Sequence, residues 1–148
     1  MLDTMIFADR LHEQMTLRGY DAKELADTIG VSVSTIYNFL QGRYTQPDTN
    51  IFFDLIEHFD CSADYMLGLT EFPEDVSYSP PLRTYGARLR ELLKAHNLTQ
   101  QAFIEQMKIS SNLVHKWLSN QTLPTVEYLI KLSSFFEITV DVLIQRTK

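Results

Sequence analysis

The chain has 148 residues, of which 45% are hydrophobic and 11% aromatic, and this composition is typical of a folded protein rather than a disordered one. Its one cysteine, Cys61, excludes an internal disulfide and a multi-cysteine zinc site, and no apolar run is long enough to span a bilayer. The N-terminus, MLDTMIFADR, is acidic and lacks the features of a signal peptide, so we expect a cytoplasmic protein.

The net charge of −6 is distributed unevenly along the chain. Residues 1–69 contain four Lys/Arg and eleven Asp/Glu, whereas residues 85–148 contain eight Lys/Arg and five Asp/Glu. The chain is therefore an acidic half followed by a mildly basic half. An acidic total argues against nucleic acid as a partner, but this distribution weakens the argument for the second half.

The first half of the chain predicts five short helices. Apolar residues recur every four positions from residue 4 to residue 17 and predict the first helix. The second opens at Asp21, where DAKE resembles a capping box, and Gly30 is expected to end it in a left-handed turn. Hydroxyl or carboxylate caps predict the starts of the next three helices. These caps are Ser32, Asp48 and Ser62.

The third helix has one apolar face and one polar face. Its inner face is predicted to be buried and consists of Ile36, Phe39 and Leu40. Its outer face consists of Val33, Ser34, Tyr37, Asn38 and Gln41. Two short helices joined by a tight turn, the second buried on one side only, form the helix-turn-helix pattern.

A segment from residue 70 to residue 84, TEFPEDVSYSPPLRT, follows these helices. Three prolines make it a poor helix, and the adjacent Pro80 and Pro81 stiffen part of it. We therefore predict a linker at residues 70–84 between two domains, residues 1–69 and 85–148.

The second half repeats the first at a shift of 78 residues, which becomes 77 after one residue is dropped in the loop behind the third helix. The shift pairs Phe7 with Tyr85, Arg10 with Arg88, Leu25 with Phe103, Ile36 with Val114, Phe39 with Trp117, Pro47 with Pro124, Phe59 with Phe136 and Asp64 with Asp141. The corresponding first helix is predicted over residues 82–96, and the later ones are capped by Thr99, Ser110, Thr125 and Thr139. Lys108 stands where Gly30 does, so this turn is less ideal. No strand pattern is present.

Each copy resembles the DNA-binding domain of the phage repressor and Cro type, the Xre family. The resemblance rests on ELADTIGVSVSTIYNFLQGRYTQP with DLIEHFDCSADYML, and on LTQQAFIEQMKISSNLVHKWLSNQTLP with KLSSFFEITVDVLI. It implies an all-α fold of two tandem five-helix, lambda-repressor-like domains. It also implies a sequence-specific regulator of transcription, with a repressor as our expectation, that binds double-stranded DNA.

The resemblance further implies that the third helix of each copy enters the major groove. The DNA-contacting residues would then be Ser32, Val33, Ser34, Tyr37, Asn38 and Arg43 in the first copy, and Gln100, Ser110, Ser111, Asn112, His115, Lys116 and Gln121 in the second. Among them, Ser32, Ser110 and Arg43 are expected to contact phosphates, and His115 is left open between a base contact and solvent. Ala22 replaces the family's glutamine in the first copy.

Because each copy has its own DNA-contacting third helix, called a reader here, the chain is predicted to bind two half-sites. The outer faces differ in nearly every residue, so the half-sites should be dissimilar, and a 15-residue linker reaches about 50 Å when extended. Neither reading segment, residues 30–47 or residues 108–124, contains an acid. Because each also has few cations, we expect weak non-specific binding and a shallow dependence on salt.

Other functions were weighed against this one. An enzyme is not expected, because the chain has no Gly-rich phosphate loop, no His-x-x-x-His pair and no nucleophile beside a base. We likewise expect no cofactor, no catalytic residue and no metal site. The main alternative is a protein-interaction module, in which the acidic first domain binds a partner protein or forms a homodimer.

Overall fold

The computed structural model describes residues 2–43, 47–73 and 77–146, and all regular structure in these ranges is helical. The described ranges contain ten helices, which form two sets of five. The first set is α1 (Thr4–Arg18), α2 (Ala22–Ile29), α3 (Val33–Leu40), α4 (Thr49–Phe59) and α5 (Ala63–Met66). The second set is α6 (Gly86–Ala95), α7 (Gln100–Met107), α8 (Ser111–Leu118), α9 (Val126–Phe136) and α10 (Val140–Leu143). The predicted all-α class is confirmed.

The predicted caps start the helices in both copies. Each capping side chain accepts a hydrogen bond from a backbone N–H of the first turn, which is one of the groups that a helix leaves without an internal partner. The capping residues are Asp21, Ser32, Asp48, Ser62, Thr99, Ser110, Thr125 and Thr139. Asp3 caps α1 in the same way.

The start of the first helix in the second copy was predicted too early. α6 begins at Gly86, whereas the periodicity indicated residue 82. Leu82 instead donates its backbone N–H to the carbonyl of Ile144 at 2.9 Å, and Pro81 before it is buried. A tertiary hydrogen bond therefore holds this stretch outside a helix.

The linker packs against both copies. Arg83 forms an ion pair with Asp54 of α4 at 2.7 Å, and Ser79 donates its backbone N–H to the carbonyl of Arg146 at 3.0 Å. Glu74 and Asp75 of the linker lie outside the described residues. The predicted boundaries at residues 69/70 and 84/85 stay a prediction.

Buried apolar side chains of both copies form one contiguous cluster. Leu11, Leu25 and Phe52 are completely or almost completely buried in the first copy, as are Phe103 and Leu132 in the second. A contiguous apolar cluster is usually the core of one domain. Here it joins the two copies.

An arginine at the same position in each copy ties the first helix to the last. Arg10 on α1 donates to the carbonyls of Tyr65 and Thr70. Arg88 on α6 donates to the carbonyls of Val142 and Leu143 at 2.9 and 3.1 Å. The repeated arginine is therefore a structural residue that satisfies carbonyls at the end of a short helix.

The last helices of the two copies meet at their N-termini. The carboxylate of Asp64 on α5 accepts the backbone N–H groups of Val140 and Asp141 at 2.9 and 2.8 Å. The carboxylate of Asp141 on α10 accepts the N–H of Ala63 at 2.9 Å and the hydroxyl of Ser62 at 2.6 Å. Each aspartate thus caps the helix of the other copy.

Arg146 crosses the same junction and is 1% exposed. Its guanidinium donates to the carbonyls of Cys61 at 2.5 Å and Ile56 at 3.3 Å, and it lies 3.4 Å from the Asp141 carboxylate. These bonds satisfy a buried charge that would otherwise be costly. The residue that corresponds to Arg146 in the first copy is Leu69, which is exposed, so this contact is made once.

Within the described ranges, none of the helices combines the length and the apolar character needed to cross a membrane.

Candidate nucleic-acid interface

Helices α3 and α8, called the reader helices below, have the same length and the same start. The hydroxyl of Ser32 accepts the N–H of Thr35 at 3.2 Å, and that of Ser110 accepts the N–H of Leu113 at 3.1 Å. Their inner faces are packed into the core as predicted, although Leu40 is only partly buried. The buried inner residues are Ile36, Phe39, Val114, Trp117 and Leu118. The buried side of each helix fixes which side chains face outward.

The predicted contact residues lie on the surface. Twelve of the thirteen side chains are exposed, and Asn38 is half-buried. The exposed residues are Ser32, Val33, Ser34, Tyr37, Arg43, Gln100, Ser110, Ser111, Asn112, His115, Lys116 and Gln121. The same helix faces can therefore be reached by a ligand in both copies. Contact with DNA itself stays a prediction for all thirteen.

The turn before each reader helix has one conformation in both copies. Gly30 has φ 76° and Lys108 has φ 57°, so both are left-handed and both donate to the carbonyl four residues earlier. Lysine pays a steric penalty in this region that glycine does not. The second copy thus keeps the turn at a conformational cost.

The three residues that follow each reader helix, 41–43 and 119–121, have the same backbone conformation in both copies. Gly42 and Asn120 are left-handed, with φ 68° and 61°. The next residue then donates back to the reader helix, from Arg43 to the carbonyl of Asn38 and from Gln121 to that of Lys116, both at 2.9 Å. Arg43 and Gln121 are therefore presented by equivalent backbones.

The two copies differ at the start of the second helix. Ala22 is buried at 7% exposure, whereas Gln100 is exposed in the corresponding first turn of α7. A glutamine there can donate and accept hydrogen bonds, and an alanine cannot. The first copy lacks the polar group that the second offers at this place.

The charges of the two reading faces also differ. Arg43 is the cation of the first reading segment, whereas Lys108 and Lys116 both belong to the second. All three side chains are exposed. The second face is better suited to phosphates, because Lys and Arg dominate the electrostatic attraction to DNA.

Cys61, His58 and His96 have side chains of the kinds that act in catalysis or bind metals, and each packs against other parts of the chain. Cys61 is buried, and this burial raises its pKa to about 12, which keeps the thiol protonated and unreactive. His58 packs edge-on against Tyr20, and His96 packs against Phe136. In the part of the chain that the structure describes, no group of three His, Cys, Asp or Glu is arranged to hold a metal ion.

Sequence reasoning missed the residues that join the copies. Asp64 and Asp141 are paired by the repeat, yet no role was assigned to them. The signal in the sequence was that both copies place an aspartate in a short, otherwise apolar helix whose start already has a hydroxyl residue as its cap. Charged residues are rarely buried without a partner, so such a repeat indicates a specific contact.

Comparison with known proteins agrees with this geometry. A helix-turn-helix family model matches residues 11–66 and 89–143, which together make up more than half of the chain. A relative described as an HTH-type transcriptional activator, BcrR of Enterococcus faecalis, is 35% identical over 60 residues. That match spans 40% of this chain and 29% of the relative. No solved structure matches significantly.

The two matched regions confirm the resemblance in both copies. The first contains α2 and α3 and the second contains α7 and α8, so each includes a complete pair of helices around the turn. The chain therefore belongs to the Xre-type helix-turn-helix family, in two tandem copies.

Proposed function

We propose that the protein is a sequence-specific DNA-binding regulator of transcription that reads two dissimilar half-sites, one with each reader helix. The observation that carries the proposal is the paired exposure of two outer faces on a family scaffold, with no acid in either reading segment. Because these exposed faces carry no negative side chain, they would not repel the phosphates of DNA. The family's role favours binding rather than catalysis.

The second reader is suited to base contacts through hydrogen bonds. Asn112 has an exposed amide that fits the donor and acceptor pair of adenine, and Lys116 can donate to guanine. Ser110 caps the helix while its own proton is free to be donated to a phosphate oxygen in the complex. Helix N-termini attract anions, which favours the same orientation.

The first reader is suited to apolar contacts. Val33 is 39% exposed and Tyr37 is 52% exposed, and both lie on the outer face of α3. Apolar side chains in the major groove contact the methyl group of thymine. We therefore assign to the first copy a half-site that is richer in thymine than the half-site of the second copy.

Repression is the direction of regulation that we propose. Two readers that occupy a promoter would block its use by competition for the DNA. Activation is the second candidate, because the relative from Enterococcus faecalis is described as an activator. A reporter driven by the selected site separates the two, since deletion of the regulator raises expression under repression and lowers it under activation.

A protein-interaction role is the alternative to DNA binding. It is favoured by the acidic first copy and by the buried Ala22 at the start of α2. In that role the first copy would bind a partner protein or a second chain, and only α8 would read DNA. Substitutions in α3 would then leave DNA affinity unchanged.

The test is a binding titration on duplex DNA from upstream of the gene, at two salt concentrations, with scrambled DNA as the control. We expect saturable binding at least about a hundredfold tighter than on the scrambled duplex. A shallow salt slope is expected because the faces carry few cations. Equal, weak binding there and failure of selection from a random duplex pool would contradict the proposal.

A further inference from the structure

The contacts between α5 and α10 are reciprocal. Ala63 donates to Asp141, and Val140, which corresponds to Ala63, donates to Asp64, which corresponds to Asp141. In an interface with two-fold symmetry, the same pair of positions makes the same contact in both directions. The two copies thus meet as the halves of a symmetric dimer would, within one chain.

A second set of contacts lies beside the reader helices. The hydroxyl of Thr49, at the start of α4, donates to the carbonyl of Pro124 at 2.7 Å. A groove of about 290 Å³ lies beside this hydrogen bond and is lined by Pro47 and Asp48 from one copy and by Leu123 and Thr125 from the other. The ends of the segments that follow the two readers, at residues 47–49 and 122–125, are therefore neighbours.

From these contacts we infer that the two copies form one fixed body, in which Asp64, Asp141 and Arg146 are positioning residues that set the separation and orientation of the two reader helices. This inference rests on the proposed function, since it defines which arrangement of half-sites the chain binds. The contiguous apolar core across both copies supports it.

The fixed body has a consequence for the DNA site. Readers related by a two-fold axis match the two-fold symmetry of the duplex, so the half-sites are inverted rather than directly repeated. A fixed body also favours one spacing, and two readers on the same face of the duplex require half-site centres about one helical turn, or about 34 Å, apart. A single chain then does what a repressor dimer does, with two different half-sites.

A loosely tethered pair of readers would behave differently. A free linker of this length would allow many spacings and both orientations. Here the linker is fastened at Ser79, Leu82 and Arg83. The junction also buries the guanidinium of Arg146, which donates to the carbonyls of Ser79 in the linker and of Cys61 and Ile56 in the first copy. The linker therefore does not set the reach of the two readers.

The experiment begins with half-sites selected by the full-length chain from duplexes of about 24 random base pairs, enough for two half-sites a helical turn apart. The half-sites are then rebuilt in inverted and direct order at spacings changed in single steps. We expect the wild-type chain to bind best to one inverted spacing, and to lose at least about tenfold in affinity when the spacing changes by half a turn. Equal binding to both orders and all spacings would overturn the inference.

Substitution then tests the positioning residues. Asp141→Asn replaces one acceptor oxygen by an amide nitrogen that cannot accept the N–H of Ala63 or the hydroxyl of Ser62. We expect this variant to flatten the dependence on spacing to within about threefold while it binds an isolated half-site as the wild type does. Asp9→Asn, on the exposed surface of α1, is the matched control and should keep the wild-type dependence.

Small-angle scattering separates failure of this inference from failure of the proposed function. If no duplex binds, the DNA proposal fails. The fixed body is still supported by a compact wild-type profile that expands in the double variant Asp64→Asn and Asp141→Asn. A double variant that stays folded and equally compact would instead remove the positioning role, as would a wild-type profile of two separated bodies.

Discussion

The two copies share one backbone plan and differ on the surface that faces outward. The turns before and after the readers have matching left-handed residues, and the readers begin with the same serine cap. On the outer faces, however, Val33 and Tyr37 in one copy stand against Asn112 and Lys116 in the other. Packing constrains the inner residues and leaves the outer ones free, so one fold can carry two specificities.

The copies also differ in how strongly each depends on the other. Asp64 and Asp141 are shared equally, whereas Arg146 has no counterpart in the first copy. The second copy thus contributes more of the junction. This comparison suggests four tests, which are ordered by the size of the expected effect.

The largest effect on stability is expected from the buried inner face of α8. Trp117 is 1% exposed and packs edge-on against Tyr128, so Trp117→Ala should lower the free energy of unfolding by about 4 kcal/mol. Because the core is contiguous, the loss should be felt in both copies and unfolding should stay one transition. Urea denaturation followed by circular dichroism measures it.

The outer-face variant Tyr37→Ala is the control for this test. Its side chain is 52% exposed, and its removal should change stability by less than about 0.5 kcal/mol. Two separate transitions in the Trp117→Ala variant, with the first copy as stable as before, would show that the copies fold independently and would contradict the shared core.

The second test concerns the charge at the junction. Burial is the main cause that raises the pKa of Asp64 to about 6, and the neighbouring carboxyl of Asp141 raises it further, whereas the backbone N–H groups of Asp141 and Val140 oppose the rise. Asp64, Asp141 and Glu71 line one surface cavity, and the guanidinium of Arg146 faces the carboxylate of Asp141. A raised pKa means that the folded state binds the proton more tightly than the unfolded chain does.

The contribution of Asp64 to the free energy of unfolding is therefore fully present below about pH 4 and is lost as the pH rises through 6. We expect the free energy of unfolding to include a term that decreases by up to about 3 kcal/mol between pH 4 and pH 7.5. Denaturation across this range, with a carboxyl NMR titration of Asp64, measures it. Asp64→Asn should remove this pH-dependent term, and Asp9→Asn should keep it. An Asp64 that titrates near pH 4 would contradict the prediction.

The third test compares the two readers on DNA. Asn112→Ala and Lys116→Ala should each weaken specific binding by about 1–3 kcal/mol, because each would remove a base contact. Tyr37→Ala should cost less, since an apolar contact with a methyl group is smaller. Fluorescence anisotropy on the selected site measures all three.

Lys131→Ala is the matched control for the lysine, because Lys131 is exposed on α9 beside Tyr128 and belongs to neither reading segment. It should bind as the wild type does. Equal losses from Lys116→Ala and Lys131→Ala would mean that DNA is attracted by total charge and that α8 does not read it. No loss from Tyr37→Ala would favour the protein-interaction role of the first copy.

Much of this architecture could be predicted from the sequence. The helix starts followed from local capping residues, and the inner faces followed from apolar spacing, both of which act within a few residues. The start of α6 and the role of Asp64 did not follow, because each depends on a partner at the other end of the chain, Ile144 for Leu82 and Asp141 for Asp64. The contact residues stay predictions, because exposure shows that a side chain is accessible without showing what it binds.

The smallest expected effect lies in the turn before each reader, where the copies differ by one residue. Lys108→Gly should raise the free energy of unfolding by about 1 kcal/mol, because glycine adopts φ near 57° without steric cost. The reverse exchange, Gly30→Lys, should lower it by a similar amount. A Cβ at Gly30 would meet nothing within 4 Å, so the backbone conformation alone would account for the loss.

The pair of variants forms its own control, since both change the same turn in opposite directions, and urea denaturation measures both. Opposite signs would show that the turn, rather than the side chain, sets the difference between the copies. A loss of stability in both variants would mean that the lysine side chain stabilises the second copy and offsets the cost of its left-handed conformation. In that case the two turns would have the same backbone conformation, but glycine would permit it in the first copy and contacts of the lysine side chain would stabilise it in the second.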